Sequence, residues 1–359
     1  MEEKDKLTQE GEGWIVLMPK SKKEIKLDKR DQIILQALMD NARTSISTLA
    51  KMTKLSKNSV INRIKNYEKL ELIDRYSSII KLHALGFEMY SIGIKTKMTL
   101  AQKEKFVKHL EKIKHINQVL VLSPSHWDFL IRAYPKDKRC LDRIITQIYS
   151  FKGIIQMDII PCEDWVISNA NYFNIKVDFN RYIKKEDSSF HKTFATKKNP
   201  DSKYKVDKKD MQIMSMLSHN ARIPLIEIAS KINISPDAVK YRIKQLIKKD
   251  LIQIFFVNIN PFMLGFNAYL FTFQIFNRTK LDEITKYLGH HPRSTGVITT
   301  KTKWNLFGAL LFKDTKELKD FEEEFFEKYG EYVHDYAFTH ILEQPYYRMF
   351  MKEILTSFK

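Results

Sequence analysis

The 359-residue sequence predicts an α+β protein in which one two-part unit is written twice. Three observations carry that prediction. The chain aligns with itself at a single offset. Each copy opens on short apolar stretches at helical spacing. Each copy then closes on alternating strands interleaved with two amphipathic helices.

The self-alignment is the most specific of the three. Leu27-Asp28-Lys29-Arg30-Asp31 returns as Val206-Asp207-Lys208-Lys209-Asp210, 179 residues later. In the same register Asn41-Ala42-Arg43 meets Asn220-Ala221-Arg222, Leu55-Ser56 meets Ile234-Ser235, and Arg63-Ile64-Lys65 meets Arg242-Ile243-Lys244. Leu72-Ile73 falls on Leu251-Ile252 and Leu85-Gly86 on Leu264-Gly265. Further on, Trp127-Asp128 pairs with Trp304-Asn305 at an offset of 177. A period of that length marks a duplicated unit, since solenoid repeats recur every 20–50 residues or so.

The first copy opens at Asp28, a good N-cap, followed by Ile33, Ile34, Ala37 and Leu38 at helical spacing. Ser45 or Ser47 begins a short second helix with Leu49, Ala50 and Met52, and Ser56 caps a third with Val60, Ile64, Tyr67 and Leu70. In the second copy these places pass to Ile213, Met214 and Leu217, to Ile228 and Ala229, and to Val239, Ile243 and Leu246. Pro236 stands at the first helical position after Ser235, where the missing N–H costs nothing. A short second helix, a tight turn and a basic third helix make a helix-turn-helix. The strands Ile73 to Leu82 and Ile252 to Ile259 supply a wing.

After Gly86 the order becomes β-α-β-β-α-β, from Met89–Lys97 to Ile154–Ile160, and it recurs from Ala268–Phe276 to Tyr332–His340. That order is ferredoxin-like. An open sheet with helices on one face needs a cover on the other, and the equivalent sheet of the other copy is the natural one, giving an internal pseudo-dimer. The expected domains are a winged helix-turn-helix over 25–83, a ferredoxin-like domain over 84–175, a second winged helix-turn-helix over 206–262 and a second ferredoxin-like domain over 263–345. An extension (1–24), a basic linker (176–205) and a tail (346–359) flank them.

Composition sets the partner class. Lys and Arg exceed Asp and Glu by 61 to 43, a net charge of +18 that favours a polyanion, either nucleic acid or an anionic membrane surface. The apolar stretch Trp14–Met18 is too short for a membrane span or a secretory leader. Cys140 and Cys162 form no CxxC pair and sit in no histidine cluster, which argues against disulfides or zinc and fits a cytoplasmic protein. Phosphate-loop, serine-hydrolase and zinc-protease motifs do not occur, so no enzyme of those classes is expected.

The third helices carry the candidate chemistry. With Val60, Ile64 and Tyr67 turned inward, the outer face of the first presents Lys57, Asn58, Ser59, Asn62, Lys65 and Asn66 beside the cap Ser56. In the second copy Ser235, Asp237, Lys240, Tyr241, Lys244 and Lys248 take that face. Amides and hydroxyls read base edges while lysines hold phosphates, so double-stranded DNA is the expected partner. Arg63 and Arg242 belong to the same candidate set. They lie nearer the flank, where they contact phosphate or pair with a carboxylate.

Asp28-x-x-Asp31, Asn41-Ala42-Arg43, Leu55-Ser56 and Arg63-Ile64, followed by a βαββαβ domain, resemble the Lrp/AsnC (feast/famine) regulators. The resemblance covers about 27–165 and 206–345. It implies a prokaryotic transcription regulator whose C-terminal domains, of the regulator-of-amino-acid-metabolism type, pair through their sheets and assemble into dimers or higher oligomers. The family's members also bind amino acids or other small effectors; no other cofactor is implied. Two departures stand out. Family members hold one unit per chain, and their effector segment has a Gly ahead of an Asp. Here Ser123-Pro124-Ser125-His126-Trp127-Asp128 and Thr300-Lys301-Thr302-Lys303-Trp304-Asn305 lack the Gly, and the second lacks the Asp.

The architecture also resembles siroheme decarboxylases, and His83, His109, His115, His126, His290 and His291 keep that enzyme alternative in view. Those enzymes replace the Asn-Ala-Arg segment and do not keep a basic third helix, whereas both copies here keep both. A third reading is a scaffold whose helix-turn-helix heads no longer bind DNA.

Overall fold

A computed structural model describes residues 25–167, 172–173, 206–348 and 350–356. The expected N-terminal extension and the expected linker lie outside the described residues.

The first head consists of α1 (Lys29–Asp40), α2 (Ile46–Thr53) and α3 (Lys57–Lys69). Each helix starts where a side-chain oxygen satisfies its free amide groups. Asp28 and Asp31 form a reciprocal capping box on α1. Ser45 accepts from Thr48 and Ser56 from Ser59. Lys54 closes α2 in the left-handed region (φ 55°), which makes the tight turn into α3. The second head has the same three helices, α6 (Lys208–His219), α7 (Leu225–Ile232) and α8 (Pro236–Lys248), with Pro224 before α7 in place of a side-chain cap. There Asp207 and Asp210 form the capping box, and Asn233 takes the left-handed turn position.

The strands read as wings, β1 (Ile73–Ile80) and β6 (Ile252–Ile259), do not fold back within their own heads. They pair antiparallel with each other, from Ile73↔Ile259 to Ile80↔Ile252, as a ribbon between the two heads. Helix α1 packs on β6 and α6 on β1, so each head rests on the other's strand. Each ribbon strand ends in a 3₁₀ turn, Leu82–Leu85 or Pro261–Leu264, closed by Gly86 (φ 85°) or Gly265 (φ 78°). Positive φ at that place explains why the glycine recurs in both copies.

The first βαββαβ domain comprises β2 (Tyr90–Thr96), α4 (Leu100–Glu111), β3 (Ile116–Leu122), β4 (Phe129–Ala133), α5 (Lys138–Tyr149) and β5 (Ile154–Ile167). The second comprises β7 (Asn267–Ile275), α9 (Arg278–His290), β8 (Ser294–Thr300), β9 (Leu306–Phe312), α10 (Thr315–Tyr329) and β10 (Val333–Tyr347). The two sheets face each other and also join at both edges, β5 to β8 and β10 to β3. The result is one closed eight-stranded barrel, ordered β10-β3-β4-β2-β5-β8-β9-β7. Closure leaves no free edge strand.

The last strand of each domain runs seven residues past its sequence-predicted end, to Ile167 and Tyr347. Those added segments make the cross-domain pairs. The expected tail is likewise part of the fold. Phe350, Met351 and Ile354 are buried in the core of the second head, with Met211, Met214 and Leu217 of α6, as the chain turns into α11 (Lys352–Thr356). Among the described residues no helix is long and apolar enough to cross a membrane.

Candidate nucleic-acid interface

The outer face of α3 is built by what its inner face buries. Val60, Ile64 and Tyr67 are enclosed against α1 and α2. Lys57, Asn58, Asn62, Lys65 and Asn66 are consequently exposed, at the three- and four-residue spacings that align side chains on one helix face. Ser59 is half-buried and shares a 2.9 Å hydrogen bond with the exposed cap Ser56. On α8, burial of Val239, Ile243, Leu246 and Ile247 leaves Asp237, Lys240, Tyr241 and Lys248 exposed beside the cap Ser235. Lys244 is half-buried. Tyr241 is 64% exposed, an aromatic ring with a polar tip standing in solvent.

Arg63 and Arg242 do not join these faces. Arg63 Nη1 donates to Asp28 Oδ2 at 2.9 Å and to Asp31. Arg242 Nη1 donates to Asp207 Oδ2 and Asp210 Oδ1, both at 2.8 Å. Of the two roles expected for these arginines, pairing with a carboxylate is the one the structure contains. Each clips the third helix to the capping box of the first. The hydrogen bond that Arg63 donates to Asp31, more than any other contact, raises the Arg63 pKa above its ordinary value. At Arg242 burial works the other way, and the Asp210 and Asp207 hydrogen bonds outweigh it. Both guanidinium groups are therefore fixed cations with a structural assignment.

The Asn-Ala-Arg segments hold the heads at a set distance. Arg43 Nη1 donates to the Ala221 carbonyl at 2.5 Å, and Arg222 Nη1 to the carbonyls of Ala42 (2.6 Å) and Thr44 (3.1 Å). The Ala42 N–H donates to Phe255 O and the Ala221 N–H to Tyr76 O, tying both segments to the ribbon. Arg43 lies 5.7 Å from the Phe255 ring centroid and Arg222 5.4 Å from that of Tyr76. Burial, with the like charge of Arg222 second, depresses the Arg43 pKa to about 10; burial also lowers that of Arg222. Sequence reasoning used these residues to mark the repeat and the family resemblance and assigned them no contact. A cation recurring after an asparagine turn in both copies was the signal of a reciprocal contact.

The segments matching the family's effector loop sit where the two barrel halves meet. His126 stacks on Trp304 at 4.8 Å, and Trp127 donates to Asp158 at 2.6 Å with its ring over Gly93, where a methyl group would collide with it. Asp128 is buried and accepts from Thr96 N (2.7 Å) and Lys103 Nζ (3.2 Å). Its counterpart Asn305 binds both backbone groups of Ile275, at 2.9 and 2.6 Å. In both halves this position latches a hairpin to its neighbour.

Known proteins carry the same parts. An AsnC-type helix-turn-helix domain matches residues 27–68, and a winged helix-turn-helix DNA-binding domain matches 206–253. The transcriptional regulator LrpA of Pyrococcus abyssi is 33% identical over 123 residues, 33% of this chain and 84% of its own length. This chain belongs to the Lrp/AsnC family of DNA-binding transcription regulators. LrpA of Pyrococcus horikoshii is 37% identical over 83 residues; the match spans 23% of this chain and 59% of that relative. Among solved structures, the siroheme decarboxylase NirDL superposes with a TM-score of 0.58 over 92% of this chain and 97% of its own, at 11% identity. That likeness is one of fold.

Proposed function

We propose that this Lrp/AsnC regulator is a tandem duplication, two family units in one chain, and that it reads a bipartite, asymmetric operator. The observation that carries the proposal is the pair of unlike exposed faces on α3 and α8, held in one frame by the ribbon and the Arg43/Arg222 contacts. Each third helix enters a major groove, and the two grooves are successive.

The chemistry of the faces supports distinct half-sites. Asn58 and Asn62 offer the paired amide donor and acceptor that suit adenine, while Asp237 is an acceptor suited to the cytosine amino group. Lys57 and Lys65 on one side, and Lys240 and Lys248 on the other, neutralise phosphates. Binding should therefore weaken steeply as salt rises.

The test is selection from a random duplex pool at two salt concentrations, with the Lys57/Asn62/Lys65 triple alanine variant beside the wild type. The expected result is an asymmetric two-part site whose α3 half the variant no longer enriches. A symmetric site, or unchanged enrichment by the variant, overturns the reading.

The full-length likeness to NirDL gives the enzyme alternative its one supporting observation. Against it, the candidate histidines are dispersed. His109 packs on Phe106 and Phe151, His115 sits at a turn with φ 66°, and His126 stacks on Trp304 with Trp127 edge-on to it. The cavity that the described residues form between ribbon and barrel is about 230 Å³, smaller than a tetrapyrrole. A haem-type absorption band in the protein as purified would restore that alternative.

A further inference from the structure

Between the ribbon and the barrel lies a cavity of about 230 Å³. Its walls are largely apolar, with Leu130, Leu270, Ile298 and Phe307 from the barrel, and Ile79, Ile254 and Phe256 of the ribbon form its roof. One cation faces it. Arg132 of β4 lies with its guanidinium 4.7 Å from the Trp165 ring centroid, on the same cavity wall as Tyr347. Its Nε is enclosed and has no hydrogen-bond partner among the described residues, and the same holds for Asn258 Nδ2 on the roof. Among the described residues no Asp or Glu lines the cavity, and none pairs with Arg132.

Arg132 is a half-buried cation on a largely apolar wall, and among the described residues it faces no counter-ion. The fold does not demand it, because the offset of 177 that aligns Trp127 with Trp304 puts Ala309 at this place in the other half of the barrel. What the site lacks is an anion with an apolar body. An engineered cavity of about 150 Å³ holds benzene, so about 230 Å³ suits a body of roughly nine or ten non-hydrogen atoms.

We propose that the barrel cavity binds an apolar monocarboxylate of that size, its carboxylate on Arg132 and its body among the aliphatic and aromatic walls. The absence of an acidic group in the lining selects against an α-amino acid, whose ammonium would find no counter-charge there. The ligand touches Ile79, Ile254 and Phe256, on the two strands that set the spacing of the heads. Occupancy therefore changes operator affinity; this second step rests on the proposed function.

The test uses the full chain without DNA first. Octanoate is titrated by calorimetry against octan-1-ol, which shares the tail without the charge, and against 2-aminooctanoate, which adds the ammonium. Octanoate should bind at least tenfold more tightly than either. Arg132→Met should erase that preference, and Ala309→Leu, which fills the cavity from the opposite wall, should abolish binding while leaving Arg132 in place. Equal binding of octanoate and octan-1-ol to the wild type, or wild-type octanoate affinity in both variants, overturns the site. Saturating octanoate should then shift affinity for the selected operator at least threefold. Octanoate binding without such a shift sinks the coupling alone. Octanoate binding by a protein that selects no DNA sinks the regulator reading and leaves the site standing.

Discussion

The two heads share a frame and differ in how firmly it is held. In the first, Asp31 is gripped by Arg63 and also by the Tyr67 hydroxyl. In the second, Leu246 stands where Tyr67 does, and Asp210, with 1% of its side chain exposed, is held by Arg242. The barrel halves differ in the same manner. Asp128 is a buried charge flanked by Lys95 and Lys103, whereas Asn305 does the same latching with a neutral amide. Geometry is kept and its chemical means are exchanged, which is what packing constraints permit when a partner changes along with the residue.

The largest expected break in this symmetry lies in the tryptophans. Trp127→Ala should cost about 3–5 kcal/mol, because its fully buried ring fills the space over Gly93 and the cavity left there cannot collapse. Trp304→Ala, at a site 9% exposed and bordered by Lys303, should cost less than Trp127→Ala. Chemical denaturation of both variants measures the difference, and equal losses would contradict it.

Next come the arginine clips. Arg242→Ala removes the cation paired with the buried Asp210 and should destabilise by about 2–3 kcal/mol, allowing for the partly exposed guanidinium. Arg63→Ala should cost about 1–2 kcal/mol, since Tyr67 still donates to Asp31. Adding Leu246→Tyr to Arg242→Ala should recover part of the loss, and failure to recover any would show that the hydroxyl is not the cushion.

The remaining expected effects concern the latch. Asn305→Asp should cost about 2 kcal/mol, because a carboxylate meets the Ile275 carbonyl that the amide now donates to. Asp128→Asn should cost about 1 kcal/mol at neutral pH and show a flatter acid limb. Burial pushes the Asp128 carboxyl up, but the Thr96 N–H and Lys103 outweigh it and hold its pKa below the ordinary value. A depressed carboxylate contributes its full stability above the unfolded value of about 4 and loses it as pH falls through the folded one. Wild type and variant should therefore converge in thermal melts below about pH 4.

Local features were legible in the sequence and pairwise ones were not. Asp28, Ser45, Ser56 and Ser235 announced their helices, because a cap acts within three residues of itself. The exposed faces of α3 and α8 followed from helical period alone. The ribbon did not, since a strand's partner lies about 180 residues away and either a hairpin wing or an exchange satisfies the same pattern. Cys162–Ile167 and Ile341–Tyr347 were missed because their partners belong to the other half of the barrel. Arg132 passed unremarked within Phe-Leu-Ile-Arg-Ala, and only the closed barrel shows that it points into an enclosed space.

Barrel closure sets a timetable for biosynthesis. Strands β3 and β5 acquire their outer neighbours only when β10 and β8 have been made. About 180 residues separate the end of β5 from the end of β10, which is roughly 10–40 s of translation at ordinary rates. During that interval the nascent first half presents two bare strand edges and an apolar sheet face. Here the partner arrives on the same ribosome. Closure is unimolecular, so the assembled barrel forms equally well at one copy per cell or a thousand.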